Sequence, residues 1–157
     1  MARPLFTVSG SEAAGTIKRV QDVARVLGLK HLPSSELELA DVASKGLPST
    51  TLTSLSGSLG WTRTELVKQL GIAPRTAARR LISKKALSSP ESERVLRLAR
   101  VLTRATDVLE SSESAKRWLV EPSTALGGRK PLSLLSTDIG TELVLNELGK
   151  IDYGFFA

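Results

Sequence analysis

The sequence predicts an all-α protein, and three observations carry that prediction. Aromatic residues make up only 4% of the 157 residues while hydrophobic residues make up 41%. The core therefore has to be built from Leu, Val, Ile and Ala, which suits packed helices better than an aromatic-rich sandwich. Apolar residues also recur at spacings of three and four over long stretches. Between those stretches stand helix start and stop signals: Ser or Thr followed three residues later by Glu, and Gly or Pro at the breaks. The length suits one domain or two small ones, and with 24% charged residues the composition is that of an ordinary globular chain.

The first ten residues hold Pro, Gly and Ser without periodicity and are expected to be poorly ordered. From Ser11 to Leu29, Ile17, Val20, Val23, Ala24 and Leu27 fall at helical spacing, with Gly28 near the stop. Ser35-Glu36-Leu37-Glu38 reads as a capping box, opening a short helix to about Lys45 before Gly46. Leu47-Pro48 restarts the chain. A helix from Ser49 to Leu59 is expected to bury Leu52, Leu55 and Leu59, although its Ser and Thr content makes it depend on tertiary packing. Thr62-Arg63-Thr64-Glu65 is a second capping box, with Trp61 placed as a hydrophobic staple and Leu66, Val67 and Leu70 on one side of the helix that follows. Gly71 ends that helix, and Ala73-Pro74 starts another that continues from Arg75 to Ser83. Ser89-Pro90-Glu91 repeats the start signal ahead of Val95, Leu98, Leu102, Ala105 and Leu109, the longest periodic stretch. Ser112 to Val120 is a further helix, with Trp118 as a core anchor and Pro122 as the stop, and Leu126 to Pro131 reads as a loop. A last helix is expected from Thr137 to Leu148 with Gly149 as its stop, leaving Lys150 to Ala157 as a short apolar tail.

The residue inventory excludes much chemistry. The chain has no Cys, so disulfides, thiolate nucleophiles and cysteine-ligated metals are ruled out. His31 is the single imidazole; it stands in a loop before Pro33, where an exposed residue without a special role is expected. Paired-histidine metal sites are excluded and a hydrolase triad is left with one candidate base. Neither catalytic residues nor a metal or cofactor is expected. The opening Met1 to Phe6 lacks a sustained apolar stretch, and no run of about 18 apolar residues occurs, so a soluble cytoplasmic protein without membrane contact is expected.

The net charge of +6 is unevenly spread. Residues 1–60 carry six basic and five acidic groups, residues 61–104 eleven and three, and residues 105–157 five and eight, giving +1, +8 and −3. A basic block followed by an acidic end is the pattern of a nucleic-acid contact joined to a part with other work; a set of solvated helix faces is the plain alternative. Within the block, two short helices joined at Leu70-Gly71-Ile72 make a helix-turn-helix. Gly71 supplies the left-handed turn, Ile72 plugs the gap, and Ala77 and Leu81 complete the shared core. Arg75 and Arg79 face outward together, which suits a recognition helix whose Arg side chains bond guanine edges in the major groove, with Thr76 beside them. Arg80, Lys84 and Lys85 are expected to anchor phosphates. The template departs in two places: Ile82 falls near the outward face, and an apolar residue would be preferred where Arg80 stands. A merely structural helical hairpin is the rival reading.

Pro74-Arg75-Thr76-Ala77-Ala78-Arg79-Arg80-Leu81, Ser88-Ser89-Pro90-Glu91-Glu93-Arg94 and Leu98-Ala99-Arg100-Val101 together resemble the Xre-type antitoxins that partner RES-domain toxins. Trp118-Leu119, Pro122, Ala125-Leu126-Gly127-Gly128, Pro131-Leu132, Leu135, Thr137, Gly140 and Ile151-Asp152-Tyr153-Gly154 resemble the toxin-binding domain named for Xre, MbcA and ParS. The resemblance implies a type II antitoxin without catalytic residues. Such proteins dimerise, bind the operator DNA of their own operon and hold an NAD-degrading RES toxin by direct contact. It further implies that the C-terminal part covers the toxin's active-site entrance. That points to Gly127, Gly128, Arg129 and Lys130 in the loop and to Ile151, Tyr153, Gly154, Phe155 and Phe156 in the tail, whose aromatic residues suit an interface anchor. The resemblance covers roughly Leu47 to Ala157, with 47–109 as the DNA-binding region and its long helix and 110–157 as the toxin-binding domain; residues 1–46 are an N-terminal tail and helices whose place in the dimer is inferred from position alone. A free-standing repressor whose C-terminal part dimerises or senses a ligand is the rival from another class.

Overall fold

The computed structural model describes residues 10–154. Over them the chain forms α1 (Gly10–Val26), α2 (Glu36–Lys45), α3 (Thr50–Leu59), α4 (Arg63–Gln69), α5 (Pro74–Ser83), α6 (Ser89–Leu109), α7 (Ser112–Val120) and α8 (Asp138–Gly154). Two short 3-10 turns, Thr124–Leu126 and Pro131–Leu134, lie between α7 and α8. The expectation of poor order at the N-terminus falls on residues 1–9, outside the described residues, apart from Gly10, which begins α1.

The long helix α6 is the axis. It buries Val95, Leu96, Leu98, Ala99, Val101, Leu102, Ala105 and Val108, a set that spreads round most of its circumference, as a central helix requires. The neighbours that cover it are α1, α2, α3, α7 and α8. Val20 and Val23 come from the first helix and Leu27 from the turn after it, Leu52, Leu55 and Leu59 from the third helix, and Leu119, Val144 and Leu148 from the last two; all are buried in one continuous core with α6. Trp61 and Trp118 are half-buried against that core.

Capping chemistry sets most of the helix starts. Thr62 and Glu65 satisfy each other's backbone N–H groups ahead of α4, as the spacing predicted. At α6 the reciprocal pair is Ser88 with Glu91, so the cap lies one residue before the Ser89 that the sequence suggested. At α2 the box is only half made. Ser35 Oγ accepts from the Glu38 N–H, but the Glu38 carboxylate accepts instead from Ser34 N at 2.7 Å and Ser34 Oγ at 2.9 Å. His31 Nε2 sits 2.8 Å from the other oxygen of Glu38, so the exposed histidine is one arm of this cap.

The largest departure is at the C-terminus. Gly149 does not stop the last helix: α8 runs to Gly154. The reason lies in the register. Val144, Leu148 and Ile151 continue the inward stripe past the glycine, with Val144 and Leu148 buried and Ile151 packed against the core, and Arg104 reaches Asp152 Oδ2 at 2.9 Å. Burial and an ion pair on the far side of Gly149 hold the helix through a residue of low helix propensity. Lys150 to Gly154 are thus helical and not a free tail, while Phe155, Phe156 and Ala157 lie outside the described residues.

Candidate functional site: a basic helix face and an apolar helix face

The joint between α4 and α5 has the expected geometry. Gly71 has φ +65°, Ile72 is buried and donates its N–H to Val67 O at 2.9 Å, and Ala77 is buried beneath the second helix. Leu81, expected in the shared core, is half-buried. A residue not anticipated from the sequence fixes the turn: Arg94 of α6 donates to Leu70 O at 3.4 Å and Gly71 O at 3.2 Å. A cationic donor at the end of α4 satisfies carbonyls left open there. Nothing in the local spacing marks Arg94 for that work, since its partners lie 23 and 24 residues away in sequence.

Arg75, Arg79, Lys84 and Lys85 are all exposed, and Thr76 is half-buried at the edge of the same surface. Lys84 closes α5 in the left-handed conformation, φ 55°, which is uncommon for a side-chain-bearing residue. The structure does not bring Arg80 to this surface. Its guanidinium turns toward the start of α6, donating to Ala86 O at 3.1 Å and lying 3.0 Å from Glu91 Oε2, with only 24% of its side chain exposed. Glu91 is the carboxylate that caps α6, so Arg80 ties the recognition helix to the central one. This accounts for a basic residue where a helix-turn-helix ordinarily has an apolar one.

Other cations of the basic block also turn inward. Arg97 pairs with Asp138, and Arg104 pairs with Asp152 at 2.9 Å. With Arg80 and Arg94, four of the eleven basic groups between residues 61 and 104 serve to join helices. Exposed basic residues remain on α4, on α5 and just after it: Arg63, Lys68, Arg75, Arg79, Lys84 and Lys85.

A second surface is built by α8 and the turn before it. Gly127 and Gly128 both have positive φ, +67° and +76°, and the turn is closed by Gly128 N–H to Ser123 O at 2.8 Å and Ser123 N–H to Arg129 O at 2.9 Å. Arg129 and Lys130 are exposed beside it. The 3-10 turn Thr124–Leu126 packs against α8, so the glycine turn and the last helix are neighbours. Ile139 is 73%, Leu143 52% and Tyr153 80% exposed. With a helix turning about 100° per residue, these three fall on one side with Asn146 and Lys150, opposite buried Val144 and Leu148. Of the toxin-facing residues expected in the tail, Tyr153 and Gly154 are exposed and Ile151 is turned toward the core. Ile139 and Leu143 were not among the residues expected there, although an i, i+4 apolar pair on the side opposite the buried stripe is a signal the sequence carries.

Among the described residues no group of three or more His, Asp or Glu side chains is placed to hold a metal ion, and no helix is long and apolar enough to cross a membrane.

Comparison with known proteins places each of these helices in a recognised domain. Residues 38–100 match the antitoxin Xre-like helix-turn-helix domain, and residues 104–154 match the antitoxin Xre/MbcA/ParS C-terminal toxin-binding domain. The chain is 30% identical to an antitoxin Xre of Photorhabdus laumondii over 122 residues, covering 77% of this chain and 82% of the relative. It is 32% identical to an antitoxin Xre of Yersinia enterocolitica over 60% of this chain and 65% of that protein. A Sphingobium protein described as a Prs ADP-ribosylating antitoxin is 29% identical over 79% of this chain and 84% of its own length. Neither matched domain is a catalytic one. The basic face of α5 thus lies in a helix-turn-helix domain and the apolar face of α8 in a toxin-binding domain, and the chain belongs to the Xre family of antitoxins.

Proposed function

We propose that this chain is a type II antitoxin that neutralises a RES-domain, NAD-degrading toxin by covering its active-site entrance, and that as a cytoplasmic homodimer it represses its own operon through α5. The observation that carries the reading is the exposed Ile139, Leu143 and Tyr153 stripe on α8, within the toxin-binding domain and apart from the basic face. Large apolar groups left in water on one helix face gain by burial in a partner. Gly127, Gly128, Arg129 and Lys130 take part in the same contact, together with Phe155 and Phe156, which lie outside the described residues. On the DNA side Arg75 and Arg79 read bases with Thr76 at their edge, while Lys84 and Lys85 meet phosphates; Arg80 supports α5 from behind. The labour divides among residues 1–46, which take part in the dimer, 47–109, which bind DNA, and 110–157, which bind the toxin.

The name of the Sphingobium relative favours a second reading of the toxin, as an enzyme that transfers ADP-ribose rather than one that only degrades NAD. Both chemistries consume NAD, and both leave the antitoxin the same task. Co-expression with the toxin of the neighbouring reading frame tests the proposal. Ile139→Asp with Leu143→Asp should abolish growth protection and let NAD fall while the antitoxin keeps its helical content. Appearance of ADP-ribosylated protein on derepression would select the second chemistry. Full protection by the double aspartate variant would remove α8 from the interface.

A further inference from the structure

Ile82 is 84% exposed, the most exposed large apolar side chain among the described residues. Its position on α5 is specific. At about 100° per residue it lies within about 20° of Arg75 and about 60° of Arg79 around the helix axis, on the side opposite buried Ala77. The three outward positions 75, 79 and 82 span about 10 Å along the helix, the rise of about three base pairs. Arg75, Arg79, Lys84 and Lys85 are exposed around it, a setting that favours a polyanion over an apolar protein patch.

Phosphate contact alone gives an isoleucine nothing to bury against. The thymine 5-methyl group is the apolar feature that the bases present in the major groove. A β-branched side chain in a helix is restricted at χ1, so it offers its methyl groups with little rotamer freedom to lose. We propose that Ile82 reads the methyl group of a thymine within about three base pairs of the base addressed by Arg75, and so sets specificity; this rests on the DNA-binding reading of α5 given above.

The test uses the full chain. A pool of random duplexes is selected for binding, and the tightest duplex is resynthesised with deoxyuridine in place of thymine, which removes only the methyl groups. Binding is followed by fluorescence anisotropy at several salt concentrations. The unaltered protein should lose about fourfold in affinity for each contacted methyl, the worth of one buried carbon. Ile82→Ala should lose a similar factor on the thymine duplex, become indifferent to deoxyuridine, and keep the same salt slope. Retained binding with no deoxyuridine penalty in the unaltered protein, or with the full penalty surviving in Ile82→Ala, would overturn the role of Ile82 alone. If Arg75→Ala with Arg79→Ala binds every duplex as the unaltered protein does, the reading of α5 itself falls, and Ile82 with it.

Discussion

Glu38 shows how much one exposed carboxylate does locally. Hydrogen bonds from the Ser34 backbone N–H first, then the Ser34 hydroxyl and His31, bring its pKa from an ordinary 4.5 down to about 2. The folded chain thus prefers the charged carboxylate, and its contribution is present above the unfolded value and lost as pH falls from about 4.5 toward 2. Glu38→Gln should melt below the unaltered protein at neutral pH, and the gap should close over that acid window, as thermal denaturation at stepped pH would show. Adjacent arginines on α5 offer a sharper contrast. Arg79→Ala should leave the melting temperature unchanged and weaken specific DNA binding by about 1–3 kcal/mol. Arg80→Ala should do the reverse in the first respect, lowering stability by about 1–3 kcal/mol, because Glu91 and Ala86 O lose a partly buried donor. Parallel calorimetry and DNA titration would separate the two. The outward face of Arg79 was legible in the sequence; that Arg80 turns inward to Glu91 and Ala86 O was not, since that depends on where α6 starts in space.

At the scale of elements, two glycines of α8 make opposite demands. A Cβ on Gly149 would meet nothing within 4 Å, and its backbone is helical. Gly149→Ala should therefore raise stability by about 0.5–1 kcal/mol. A Cβ on Gly140 would lie 1.9 Å from Leu134 O, a clash with backbone that only a shift of the Pro131–Leu134 turn relieves. Gly140→Ala should be destabilising, and chemical denaturation of the pair checks both signs. Helices α3, α5 and α7 could be read almost residue for residue, because their starts and stops are local: Ser111 caps α7 and Pro74 opens α5. The end of α8 could not. A glycine usually marks a stop when the next residues have nothing to bury, and here Ile151 packs against the core and Asp152 finds Arg104 on α6.

Over the whole molecule, the basic face of α5 and the exposed apolar stripe of α8 stand on separate helices that share one core. Leu98 is 1% exposed in the middle of α6; Leu98→Ala should cost about 2–5 kcal/mol and impair both activities, while Arg79→Glu should abolish DNA binding and leave toxin neutralisation intact. Because the buried residues of α1 through α8 form one cluster, urea denaturation followed by far-ultraviolet circular dichroism and by Trp61 and Trp118 fluorescence should give coincident transitions. Separate transitions would mean that the toxin-binding domain folds independently of the rest.

The sequence by itself determined the all-α class, most helix limits, the helix-turn-helix and the absence of cysteine chemistry, because periodicity, capping pairs and composition act over a few residues. Tertiary structure alone decided which basic groups of the block turn inward to join helices. Arg80, Arg94, Arg97 and Arg104 meet partners as near as 6 and as far as 48 residues along the chain, and an ion pair or carbonyl contact between separate elements leaves no local pattern. It also decided that residues 150–154 are the last turn of a helix. The physical reason is common to all of these: what a side chain does is set by whether another helix covers it, and that coverage is fixed by packing around α6.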